Sequence, residues 1–130
     1  MKKSFADHPE SDSDSLWVYP DNKDELSRIL ETSDKLVLVY KHSNRCATCL
    51  MTMRVAEKIM REFGDRLRYI FLDVIHNRDI SSHVAEMTSV RHESPQVILI
   101  NDGITVMDLS HGHIGYETLQ NAINKSWKND

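Results

Sequence analysis

Only two cysteines occur in the 130-residue chain, and they stand three apart, at Cys46 and Cys49. Random placement would give that spacing about 1.5% of the time. Such a pair exchanges disulfides, ligates a metal, or fills space as two small apolar side chains. Zinc needs two more donors, which would have to come from His42, His92, His111 and His113, and none of these has the usual histidine-pair spacing. His111 and His113 sit two apart in what reads as a strand end, on one face, which suits a weak surface metal site at most. Exchange chemistry asks for something else: an activated thiolate and a second sulfur within reach.

The elements around the pair supply a means of activation. Lys35 to Lys41 is a continuous aliphatic and β-branched run with charged ends, the mark of a strand covered on both faces at the centre of a sheet. From Ala47 to Phe63, apolar residues recur at Cys49, Met53, Ala56, Met60 and Phe63, and Gly64 supplies the stop. Cys46 therefore falls between a central strand and the first turn of the principal helix, where open α/β sheets place their chemistry. Unpaired backbone N–H groups and the helix dipole favour the thiolate there, and any positive charge on His42 or Arg45 acts in the same direction. Cys49, one turn later on the inward stripe, should be the less exposed sulfur. This asymmetry makes Cys46 the nucleophile and Cys49 the thiol that attacks the resulting mixed disulfide.

The remaining elements follow from periodicity. Asn22 and Glu25 approximate a capping box before a short helix with Leu26, Ile29 and Leu30 inward. Leu67 to Val74 reads as a second buried strand, and Ile80 to Thr88 as a helix with Val84, Ala85 and Thr88 inward. Gln96 to Ile100 and Ile104 to Leu109 pair through Asn101-Asp102-Gly103 as a tight hairpin. Tyr116 to Trp127 is a closing helix with Leu119, Ala122, Ile123 and Trp127 on one side and Gly115 as its cap. The order β-α-β-α-β-β-α, after a helical preface, predicts an α/β fold: a four-stranded mixed sheet flanked by helices.

Composition narrows the function. Sixteen Lys and Arg against 20 Asp and Glu give a net charge of −4, with no basic block to follow a phosphate backbone, so nucleic acid is not an expected partner. The longest apolar stretch, Leu36 to Tyr40, is too short for a bilayer, and no apolar segment follows Met1, Lys2 and Lys3. A cytoplasmic protein with no membrane partner is expected. Residues 1–15 read as a disordered acidic leader, and residues 16–130 as one domain, large enough to fold without staples. In a reducing compartment a C-x-x-C pair is catalytic or metal-binding rather than structural. Pro95 opens a strand and holds Ser94 extended; a cis Ser94–Pro95 bond is open, though only about 5–6% of X–Pro bonds are cis.

The C-x-x-C at the head of the first long helix and the proline opening the third strand together resemble the thioredoxin fold. Lys41-His42-Ser43, Asp73-Val74, Asn77-Arg78, the string Val90-Arg91-His92-Glu93-Ser94-Pro95-Gln96 and Ser110-His111 resemble the YtxJ-type, monothiol bacilliredoxin-like family of the bacillithiol system, from about Trp17 to Ile123. The resemblance implies a redox-active oxidoreductase whose Cys46 takes a low-molecular-weight thiol, bacillithiol or glutathione, off oxidised or S-thiolated client proteins. It also implies a cis Pro95 against the nucleophilic sulfur and a Ser94 backbone that pairs with bound substrate. No bound cofactor is expected, and the protein is expected to be a monomer.

This chain departs from those relatives in one respect: many members carry Cys-Pro-x-Ser where it has Cys46-Ala47-Thr48-Cys49. It departs from thioredoxins proper in having Arg45 before the first cysteine and no acid from Lys35 to Lys41. Arg45 beside the thiol favours an anionic partner. With His42, Arg45, Ser94 and Pro95 as the substrate-binding set, two other functions compete with exchange. One is a thioredoxin-like adaptor or stress protein without turnover, and the other is a metal or iron–sulfur carrier using Cys46 and Cys49.

Overall fold

Alternation along the aliphatic run decides the architecture. In the computed structural model, which describes residues 16–43 and 48–128, this run is strand β2 (Leu36–His42). Leu36, Leu38 and Tyr40 join one apolar cluster, and Val37 and Val39 join another on the opposite face. Before it come β1 (Trp17–Val18) and α1 (Lys23–Thr32). After it come α2 (Thr48–Phe63), β3 (Leu67–Asp73), α3 (Arg78–Thr88), β4 (Gln96–Asn101), β5 (Ile104–Ser110) and α4 (Tyr116–Lys128). The sheet order is β1-β3-β2-β4-β5, with β2 parallel to β3 and antiparallel to β4. β2 is thus central, as its composition requires. The expected leader, residues 1–15, lies outside the described residues.

Five strands form rather than four. The extra one, β1, is two residues long and pairs Trp17 with Tyr69, too short to show a period in sequence. Packing explains it: the Trp17 ring meets Phe71 edge-on at 5.2 Å between centroids and lies 6.0 Å from Tyr40. Helices α2 and α4 cover the face with Leu38 and Tyr40 through Met53, Ala56, Ile59, Met60, Leu119 and Ile123. On the other face lie α1 and α3, which contribute Leu26, Ile29, Leu30, Ile80 and Val84.

Local signals mark the element ends. The Asn22 side chain accepts the Glu25 N–H at 2.8 Å, and Glu25 in turn accepts the Asp21 N–H, one residue earlier than a standard capping box. Asn22→Ala should cost about 1 kcal/mol and lower the melting temperature by a few degrees, as read by thermal denaturation. Gly64 ends α2 at φ +57°, and Asp102 and Gly103, both at positive φ, make the two-residue turn between β4 and β5.

Two expected details change. Helix α3 starts at Arg78 rather than Ile80, and its buried residues are Ile80, Ser81 and Val84. Ala85 and Thr88 are only half-buried, and the Thr88 hydroxyl donates to the Val84 carbonyl at 2.7 Å instead of packing inward. His111 and His113 do not end a strand: β5 stops at Ser110, and the two histidines lie in a 3-10 turn entered at positive φ by His111. No helix among the described residues is long and apolar enough to cross a membrane.

Candidate functional site

Strand β2 ends at His42, and the chain re-enters regular structure at Thr48. The link between them, residues 44–47, carries Arg45 and Cys46, which lie outside the described residues. Its two anchors are defined. Cys49 sits in the first turn of α2, 1% exposed, on the stripe with Met53 and Ala56 that the heptad-like spacing marks as inward. Leu50 and Met51 beside it are 49% and 68% exposed although apolar, so the rim of this helix end presents a hydrophobic surface.

Beneath the helix end lies a polar group hidden in sequence by its apolar neighbours. Tyr40 is fully buried, and a buried phenol needs a partner for its hydroxyl. Its Oη lies 2.9 Å from His42 Nδ1, 3.1 Å from the Cys49 carbonyl and 3.3 Å from the Thr52 hydroxyl. Thr52 also reaches the Cys49 carbonyl at 3.0 Å. The His42 ring lies 5.3 Å from the Phe71 ring. Period-two alternation, which puts Tyr40 on the same face as His42, is the sequence signal that could have found this contact.

Ser94 and Pro95 come to the same sheet edge. Lys41 pairs with Gln96 across β2 and β4, so His42 and Pro95 stand one step past the last antiparallel pair. The Ser94–Pro95 peptide is cis, as the family resemblance implied. The Pro95 carbonyl accepts the His111 N–H at 2.9 Å, which fixes the proline from the β5 side.

The opposite face of the same edge carries a buried amine. Lys41, a charged end of the aliphatic run, is fully buried, because β2 runs on to His42. Its Nζ lies 3.1 Å from His92 Nδ1. Burial pushes the Lys41 ammonium down to about 8, against an upward pull from the Glu93 carboxylate. Burial, then the nearby Lys41 charge, lowers His92 as well. Glu93 is held low chiefly by its hydrogen bond from His111, 2.8 Å away.

Asp73, at the end of β3, is the register partner of His42. Burial works to raise its pKa, but hydrogen bonds from the His76 side chain and from the backbone of His76 and Ile75 prevail and lower it. No group of three or more His, Cys, Asp or Glu among the described residues is placed to hold a metal ion. His111 is engaged by Glu93.

Comparison with known proteins places this geometry in a family. Residues 21–119 match the model of the monothiol bacilliredoxin family, BrxC. A thioredoxin of Bacillus subtilis (strain 168) is 30% identical over 95 residues, 73% of this chain and 86% of that protein. A solved structure described by its thioredoxin fold superposes with a TM-score of 0.76 at 26% identity, covering 87% of this chain and 98% of that one. A mutant thioredoxin from Halobacterium salinarum NRC-1 shares the fold, with a TM-score of 0.66 at 22% identity over 89% of this chain and 95% of its own. With its thioredoxin fold and thiol-redox function, the chain belongs to the monothiol bacilliredoxin family.

Proposed function

We propose that this protein is a cytoplasmic thiol–disulfide oxidoreductase that reduces mixed disulfides between client proteins and a low-molecular-weight thiol, bacillithiol or glutathione. Cys46 attacks the small-thiol sulfur of the mixed disulfide as a thiolate, the client leaves as its thiol, and the small thiol stays on Cys46. Cys49 then attacks Cys46, forming the intramolecular disulfide and releasing the small thiol. The observation that carries this reading is the seat of Cys49: buried and inward in the first turn of α2, three residues after the proposed nucleophile. The cis Ser94–Pro95 edge and the exposed Leu50 and Met51 support docking of a client chain beside it. Arg45 and His42 favour the anionic small thiol.

The monothiol character of the family favours a second reading, in which a second molecule of small thiol, not Cys49, releases the adduct. One variant separates the two. Cys49→Ser, exposed to the disulfide of a small thiol, should accumulate one adduct on Cys46, read by intact mass. In the dithiol cycle the unsubstituted protein loses that adduct as its internal disulfide forms; in the monothiol cycle both proteins retain it until free thiol is added. A variant that takes up no adduct contradicts the exchange function altogether.

A further inference from the structure

We infer that His92 is a specificity residue of the exchange site: a neutral imidazole, held by Lys41 with its own proton on Nε2, that donates this N–H to a carboxylate of the small thiol. The inference rests on the exchange function proposed above and names the group that reads the charge of the thiol.

One contact carries the protonation state. Lys41 is fully buried, and its Nζ lies 3.1 Å from His92 Nδ1. An ammonium has three protons and no lone pair, so it can only donate, and Nδ1 has to supply the lone pair. This holds whatever else either group touches. A ring that accepts at Nδ1 is neutral and keeps its own proton on Nε2. The reverse assignment, a neutral amine beside an imidazolium, fails on basicity. Burial leaves the Lys41 ammonium at about 8, whereas burial, the Lys41 charge and Arg78 together outweigh Glu93 and hold His92 below the ordinary histidine value.

Placement gives the donor its use. Arg91, His92 and Glu93 lead into Ser94 and Pro95 at the sheet edge where β2 ends, and each of the three is fixed there by a contact. Gln96, the cross-strand partner of Lys41, donates from Nε2 to the Arg91 carbonyl at 3.0 Å. Lys41 holds the His92 ring, and His111 holds the Glu93 carboxylate at 2.8 Å. His92 itself is exposed. Its ring therefore runs from a buried cation toward the surface, and a donor backed by a cation suits an anion. The other charges agree. Arg78, at the start of α3, adds positive charge at His92, and the opposing Glu93 carboxylate is engaged by His111. Recognition here moves no proton and breaks no bond, so its effect falls on binding.

The test has two parts, both on the full chain. In 15N-histidine protein at pH 7, with His92 assigned by the loss of its resonances in His92→Leu, multiple-bond 1H–15N spectra should show His92 protonated at Nε2. Lys41→Met should raise both its Nδ1–H fraction and its pKa. A wild-type His92 that carries a proton on Nδ1, alone or as the imidazolium, overturns the inference whether or not any variant folds. For specificity, kcat/KM is measured on the disulfides of bacillithiol and of glutathione, each against its carboxyl esters. His92→Leu should cut the preference for acid over ester about tenfold, through KM, and Lys41→Met should cut it in the same direction. His92→Gln, which keeps an N–H, should retain it. An equal loss on acid and ester assigns His92 a packing role, and a glutamine variant as indifferent as the leucine one shows that the N–H is not what is read; either result overturns the inference, as does an unchanged preference in Lys41→Met. A wild-type protein inert toward all of these disulfides fails the exchange function itself, an outcome distinct from an active protein with no preference for the acid.

Discussion

Cys46→Ser should reduce disulfide exchange to background, a loss of roughly a thousandfold or more, equivalent to about 4 kcal/mol of barrier. A serine hydroxyl stays protonated at neutral pH and cannot form the mixed disulfide through which the proposed cycle passes. The measurement is release of a small-thiol adduct from a client protein, followed by mass, with Cys49→Ser alongside. If Cys46→Ser retains activity while Cys49→Ser loses it, the roles of the two sulfurs are reversed. The fold should survive both changes. Serine is nearly isosteric, and the buried position, Cys49, lies beside the Thr52 hydroxyl that bonds its carbonyl, not among aliphatic groups alone.

Lys41→Met should stabilise the protein at pH 7 by about 2 kcal/mol, and the gain should fade as the pH rises above 8. The ammonium is moved from its ordinary 10.5 to about 8 by burial. Between those values the unfolded chain holds a proton that the folded chain has shed, so wild-type stability climbs with pH across that window and the penalty is full below it. At 1.36 kcal/mol per pH unit the whole displacement would be worth about 3, reduced by screening from the exposed His92 imidazole and the water around it. Methionine keeps the length of the stem without the charge. Chemical denaturation of both proteins at pH 7 and pH 10.5 checks this, since the difference between them cancels every other titrating group. Equal stabilities at pH 7 would show that the amine is solvated.

Much of the fold is legible in the residues. The 3.6-residue recurrence from Cys49 to Phe63, the Asp-Gly turn and the Asn22 cap each encode a local geometry, and each is realised. So is the central place of β2, because only a doubly covered strand can be aliphatic on both faces. Tyr40 and Lys41 were harder to read. Both belong to that aliphatic run, and whether a phenol or an amine within it is buried and partnered depends on register with β3 and β4, and on where α2 and the Arg91–Ser94 segment come to rest. A pattern within one segment contains no such information. The same holds for β1, whose two residues form a strand only because Tyr69 offers them an edge. At the head of α2, spacing indicated the inward seat of Cys49 but not the tyrosine beneath it.

Three consecutive residues, Tyr40, Lys41 and His42, point alternately to opposite sides of one strand. The thiol-side pair and the amine are thereby wired to separate rooms of the same house, divided by the backbone of β2. A change in amine charge bears on α3 and the approach to Pro95, while a change in the phenol bears on the sulfur end of α2. Substitutions only one residue apart therefore act on separate faces of the sheet, and under the proposed exchange function the two faces are expected to be tunable one at a time.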